Sequence, residues 1–363
     1  MDDKRFWLGF TLVKGIGAVR LQTLLDAFGS LESAWNASPF ELVSAGLNPK
    51  LAERLVAARQ TVNLEETLQR VLASGIQILT WQDEAYPSRL KQIDQPPPVL
   101  YLRGNLLPED DWAVAIVGTR AVTPYGRQAT EELADTLARN GITVVSGLAR
   151  GVDAIAHTAA LKAGGRTLAV LGSGVDKIYP PEHRSLAEKM TAQGAILSDY
   201  APGTPPDSVN FPPRNRIISA LARAVVVIEA ADTSGALITA EFAAGQGREV
   251  FALPGSIYAP QSRGTNRLIA KGAHPYLSPA DLLTALDLEN NVERRQVRQT
   301  LPADPVEAAL WNLLGAQPLH VDEIRLRSGL PIEQVSAALT MMELKGLARQ
   351  VGGMTYIALR ETL

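Results

Sequence analysis

The chain has 363 residues, 46% of them hydrophobic and 20% charged, enough for more than one buried core, and two or three domains are expected. With no cysteine and four scattered histidines, a disulfide framework and a Cys-based zinc site are excluded, and no metal is expected. The net charge of −3, from 35 Lys+Arg against 38 Asp+Glu, excludes a uniformly basic nucleic-acid binder. The average hides a local difference: residues 113–275 carry 16 basic against 13 acidic residues, a balance of +3, while residues 301–363 carry 5 against 7, a balance of −2. No apolar run reaches the length of a membrane span, and the N-terminus has acids where a signal peptide needs bases, so a cytoplasmic protein with no membrane partner is expected.

Residues 1–70 read as short helices. The Gly15-Ile16-Gly17 step lies between two apolar-periodic segments, the spacing of a helix-hairpin-helix or SAM-like module whose turn needs glycine and whose amides can hold a phosphate. A degenerate echo follows around Gly46. Because only Lys14 and Arg20 supply local positive charge, the module reads as a packing unit rather than a DNA clamp.

Residues 71–286 form the central segment. A strand from Ile76 to Thr80 and an apolar run from Val99 to Leu102 flank the irregular Pro96-Pro97-Pro98, and such pieces dock most simply onto the edge of a larger sheet. Three runs follow, Ala113 to Val117, Ile142 to Val145 and Thr167 to Leu171, each ending near glycine and alternating with helix-length segments. This is the pattern of a doubly wound α/β domain with a parallel sheet. Thr123 and Pro124 start the first central helix, Asn140-Gly141 ends it, and Asp153 opens the next. Further strands are expected at Ala195 to Ser198, Ala224 to Glu229 and Glu249 to Leu253, the first two separated by a long proline-rich loop, DYAPGTPPDSVNFPPRNR, from Asp199 to Arg216.

Residues 287–304 turn polar and charged and read as a linker. In residues 305–363, a helix, a helix-turn-helix and a terminal β pair around Gly352-Gly353 have the layout of a winged helix. Its second helix carries Glu333 and Glu343 against Lys345 alone, so it reads as a protein-interaction or packing module rather than a duplex reader.

In a doubly wound sheet ligands bind beyond the carboxyl ends of the strands. The loops there are Gly118-Thr119-Arg120, Ser146-Gly147, Gly172-Ser173-Gly174 and Thr233-Ser234-Gly235, a ring of small residues with amides expected to be free for anions. Arg120 replaces the second glycine of a dinucleotide fingerprint and no acid ends the second strand, which disfavours NAD; no GxxxxGK[ST] loop occurs either. No cofactor is expected. Phe211-Pro212-Pro213-Arg214-Asn215-Arg216 places a stacking surface beside charge, as single-strand binding requires. The same residues also fit a core phenylalanine with arginines that cap carbonyls or pair with acids. Asp153 and His157 share a helical face, but no nucleophile or second base is spaced beside them, so they read as a helix-start acid and a hydrogen-bonded histidine. Glu229 and Glu241 are the other acids near strand ends, and no catalytic constellation emerges.

These residues resemble the DprA/Smf DNA-processing family. The resemblance rests on IVGTR with TPYG, SGLARGVDAIAH, GGRTLAVLGSGVDKIYP, FPPRNRII, EAADTSGALITA and GREVFALPG followed by RGTNRLIAKGA, in unbroken order from about Ala113 to Ala273. It implies an extended Rossmann-like domain that binds single-stranded DNA without sequence preference, forms a homodimer, and loads the RecA recombinase during natural transformation. It implies no catalysis and no cofactor. Carried over by motif, Arg120, Phe211, Arg214, Arg216, Ser234 and Gly235 would line the DNA pocket, within a site expected to include Gly118, Thr119, Ser146, Gly147 and Asn215. Three positions depart from the family pattern: Asp199 stands where glutamate is usual, Ala236 where serine is usual, and Asp207 puts an acid before Phe211. The rival class is a nucleoside-monophosphate phosphoribohydrolase of the lysine-decarboxylase-like group, whose PGGxGTxxE loop corresponds here to DTSGALITAE without the double glycine. The dimer contact is expected at the far end of the sheet, near Leu268 and Ile269.

Overall fold

The computed structural model describes residues 3–288, 304–315, 318–344 and 347–358. The expected linker at 287–304 lies outside the described residues except at its ends, as does Lys345. The chain divides into two compact units, Met1–Leu286 and Asp287–Leu363.

The first unit is built on a nine-stranded sheet: β1 (Gln77–Thr80), β2 (Val99–Gly104), β3 (Ala113–Val117), β4 (Thr143–Ser146), β5 (Thr167–Val170), β6 (Gly194–Ser198), β7 (Ala224–Val227), β8 (Glu249–Ala252) and β9 (His274–Pro275). Their spatial order is β1-β2-β6-β5-β4-β3-β7-β8-β9. The strands from β6 to β9 pair in parallel, and β2 joins β6 and β1 antiparallel, which adds residues 77–104 to the sheet edge. Every residue of β3, β4, β5, β6 and β7 is buried, because helices cover both faces and the strands need unbroken runs of small and branched apolar side chains. From β3 the chain winds outward through β4, β5 and β6, then returns to β7 on the other side of β3. The order therefore reverses at β3/β7, the place where a doubly wound sheet opens a crevice.

The helix after β3, Pro124–Arg139, starts as its sequence dictates: Thr123 Oγ1 accepts from the Gly126 amide and Pro124 takes the first turn. Six helices between Lys4 and Ala73 precede the sheet. They share its core: Trp7, Leu8 and Phe10 join Ile78, Val99 and Tyr101 of β1 and β2 in one apolar cluster. Trp7 meets Trp81 edge to face at 5.7 Å, and Thr11 Oγ1 and the Tyr101 hydroxyl are 2.7 Å apart. Residues 1–70, expected as a module, are thus part of the same compact unit, since their apolar side chains share one core with those of β1 and β2. In the Gly15 turn, Arg20 donates to the Gly15 carbonyl, Leu51 abuts Gly15, and Thr23 abuts Gly46.

The second unit holds helices Pro305–Leu313, Val321–Ser328 and Ile332–Leu344 and a three-stranded sheet of Leu319–His320, Thr355–Ala358 and Ala348–Gly352. The helix-turn-helix and the β pair follow the expected layout. The two-residue strand Leu319–His320 is additional and too short for a sequence pattern to mark. Among the described residues no helix is long and apolar enough to cross a membrane.

Candidate nucleic-acid interface

A cleft of about 660 Å³ opens at the carboxyl ends of β3 and β7. Gly118, Thr119, Arg120, Phe211, Arg214, Asn215, Ser234 and Gly235 all line it, so eight of the residues singled out in the sequence converge there. Ser146, Gly147 and Arg216 do not line it. Gly147 borders a narrow side pocket with Ala149, Arg150 and Tyr179.

Part of the expected ring of free amides is occupied. The Thr119 amide donates to the Glu229 carbonyl at 2.7 Å, and the Gly147 and Ala149 amides donate to Asp153 Oδ2 at 3.1 and 3.2 Å. Glycine is needed here for space: a Cβ on Gly118 would meet Val152 at 2.7 Å, one on Gly147 the Arg214 guanidinium at 2.8 Å, and one on Gly172 the Phe211 ring at 2.7 Å. The missing side chains make room for the residues that shape the cleft. Ser146 is turned inward, its hydroxyl donating to the Ile116 carbonyl at 2.6 Å.

Phe211 opens the helix Phe211–Leu221, with prolines in its first turn. Positions 211, 214, 215 and 218 share one face of that helix and all line the cleft, whereas 216 is turned some 100° past 215. Arg216 therefore points elsewhere: it pairs with Asp199 at 2.8 Å and donates to the Gln95 carbonyl at 2.8 Å. Arg214 lies on the cleft face but is buried, its Nη1 donating to the carbonyls of Gly147, at 2.9 Å, and Val170. Both arginines that follow Phe211 are thus committed to the fold, one as a carbonyl cap and one as an ion pair. Asn215 donates to the Gly235 carbonyl at 3.3 Å and ties that helix to the turn capped by Ser234.

The chain matches the family of DNA recombination-mediator protein A over residues 77–287, which include the whole cleft, and the DprA winged helix domain over residues 294–354. The chain belongs to the DNA recombination-mediator protein A family. It is 38% identical to Protein Smf of Synechocystis over 392 aligned positions, 98% of each chain, and 40% identical to DNA processing protein DprA of Bacillus subtilis over 268, covering 71% of this chain and 90% of that one. The solved DprA of Streptococcus pneumoniae superposes with a TM-score of 0.68 at 33% identity, covering 78% of this chain and 98% of that one. The Helicobacter pylori protein, solved for its single-stranded DNA binding mode, gives 0.53 at 33%, covering 59% and 97%. A DNA recombination mediator is thus the role of the family to which this chain belongs, and the doubly wound sheet and winged helix agree with it.

Within this cleft the exposed features differ from the buried ones. Arg120 is exposed and has no acid partner among the described residues; its guanidinium lies 6.0 Å from the Phe211 ring centre. Phe211 stacks on Tyr179 at 5.8 Å and 27°. Tyr179 was missed in the sequence; its signal was a single aromatic in the DKIYP turn, visible only as part of a motif. Beneath, burial raises the Asp153 carboxyl above the usual range against the pull of Arg214, and lowers Arg214 to about 10. Burial also pushes His157 down to about 3, so its ring is neutral, with Nδ1 2.6 Å from the Thr167 hydroxyl. Glu229 is buried as well, its carboxylate accepting from the Thr123 amide at 2.9 Å.

Proposed function

We propose that the cleft binds single-stranded DNA without sequence preference, and that the protein delivers the bound strand to a RecA recombinase during natural transformation. The observation that carries this reading is the Phe211–Tyr179 stack set beside the free guanidinium of Arg120: an aromatic surface any base can use next to one permanent charge for its phosphate. The likeness to the Helicobacter pylori protein supports it. The cleft performs no catalysis on this reading. Asp153, the acid in its lining, is buried and accepts the Gly147 and Ala149 amides, Glu229 accepts the Thr123 amide, and His157 is buried and neutral. A phosphoribohydrolase would need an acid or base free to act on its substrate.

The protein acts as a homodimer joined at the β8–β9 edge. Supporting this, Ile257, Tyr258 and Leu277 follow those strands with exposures of 72%, 86% and 69%, while Leu268 packs partly against the sheet core. Fluorescence titration with single-stranded and duplex DNA at several salt concentrations tests the main reading. Preference for the single strand is expected; equal duplex binding, or release of base from a nucleoside monophosphate, would refute it. Light scattering at micromolar concentration should find two chains per particle.

A further inference from the structure

A second cationic group lies at the amino ends of the strands, the end of the sheet opposite the cleft. Arg223 immediately precedes β7, Arg248 immediately precedes β8, and Asp111 and Trp112 immediately precede β3, so parallel pairing sets these strand starts side by side. Arg89, from the Ser88–Lys91 helix, completes the group. Arg89 and Arg223 both donate Nε–H to the Asp111 carbonyl at 3.3 Å, and Arg248 Nη2 reaches the Arg89 carbonyl at 3.4 Å. The Asp111 carboxylate is 3.7 Å from Arg89 and is the acid that favours the Arg223 and Arg248 charges. The Arg223 guanidinium covers one face of Trp112 at 3.5 Å, and Arg248 Nε is buried with no hydrogen-bond partner among the described residues.

Three guanidiniums thus gather around the start of β3, all partly withdrawn from water, and of the three only Arg89 pairs with the Asp111 carboxylate. Burial first, and then repulsion by Arg89, pull Arg223 and Arg248 below the ordinary guanidinium value. Crowding like charges this way costs stability unless an anion relieves it. Planar forks arriving from three elements match a tetrahedral oxyanion with several acceptors better than a lone carboxylate. With one Trp112 face covered, the group offers charge rather than a stacking surface.

We propose that Arg89, Arg223 and Arg248 form a second phosphate-binding station, which holds a backbone phosphate of single-stranded DNA that extends beyond the cleft. This rests on the single-strand reading of the cleft. The test uses the full chain with fluorescent oligothymidylates, one of about 6 nucleotides that fills the cleft and one of about 30 that can pass beyond it. In the Arg89→Gln/Arg248→Gln variant the slope of log K against log salt for the long strand should flatten by about 0.7 per phosphate lost, with the short strand bound as before. Asp111→Asn should tighten the long strand. Inorganic pyrophosphate should raise the melting temperature of the parent and not of the double variant. An unchanged long-strand slope in a folded double variant, weaker long-strand binding in Asp111→Asn, or no pyrophosphate shift in the parent would each overturn the station. So would an Asp/Glu-rich peptide that binds through these arginines while the long-strand slope stays fixed. Failure of the parent to bind even the short strand would instead refute the cleft reading.

Discussion

Arg120 and Arg214 both approach the Phe211 ring at about 6 Å, yet they belong to different regions of the cleft. Arg120 stands on the rim in water with no acid beside it among the described residues; Arg214 is in the floor, 6% exposed, with two backbone carbonyls, the buried carboxylate of Asp153 and the half-buried one of Asp199 around it. The rim can exchange water for a phosphate at little cost. The floor cannot, because its charges already neutralise one another in a place water does not reach. Residue type alone therefore does not assign a role in this cleft; solvation does.

The largest effect should come from breaking the floor. Arg214→Ala removes the buried cation beside Asp153, leaves the Gly147 and Val170 carbonyls without their donor and empties the space that Gly147 makes for it, so a loss of about 3 to 5 kcal/mol in unfolding free energy is expected. Chemical denaturation measures it. If Arg214→Ala is as stable as the parent but no longer binds DNA, Arg214 belongs to the rim and the division fails.

The comparison also shows what could be read without coordinates. The apolar runs of β3, β4 and β7 and the Thr123-Pro124 helix start are written in local sequence, because strand burial and capping depend on near neighbours. Arg214 and Arg216 are two residues apart and chemically alike; only the helical phase of Phe211–Leu221 separates cleft from ion pair, and the prolines in FPPRNR disguise that helix as a loop. Glycine was recognisable at 118, 147 and 172, but not what fills the vacated space, since Val152, Arg214 and Phe211 arrive from distant segments. The merging of the N-terminal helices with β1 and β2 is likewise a long-range event.

On the rim, Phe211→Ala should cost roughly 1 to 3 kcal/mol of single-strand affinity and leave the salt slope unchanged, since a stacking surface is lost and no phosphate contact with it. Tyr179→Ala should lose less, because Phe211 remains, and should lose it in the same salt-independent way. An affinity equal to the parent in Phe211→Ala would mean that the ring serves only to fill the space above Gly172.

The floor should also be sensitive to acid. His157 has a folded-state value of about 3, below its usual 6.5, so the unfolded chain takes up a proton that the folded chain refuses. The stability of the neutral form is fully present above pH 6.5 and is lost as the pH falls through the window from about 6.5 to 3, at no more than about 1.4 kcal/mol per unit. His157→Gln should flatten the stability profile between pH 6.5 and 5.5 relative to the parent. Parallel profiles would show that His157 is protonated in the fold.

The smallest effect separates rim from floor most directly, because it compares two arginines from the same expected site. Arg120 has water and the Phe211 ring around it, so any phosphate it holds displaces counterions, and Arg120→Ala should flatten the slope of log K against log salt by about 0.7. The loss should be the same for every DNA sequence, since a backbone contact carries no base information. Arg216 is already paired with Asp199 at 2.8 Å and holds the Gln95 carbonyl, so it has no charge to spare for a strand. Arg216→Ala should leave the slope as it is and lower stability instead, by leaving a half-buried carboxylate without its partner. Measured side by side at several salt concentrations, the two variants should differ in slope and in melting temperature in opposite senses. If both flatten the slope alike, the Arg216–Asp199 pair opens when DNA binds, and the interface extends beyond the cleft.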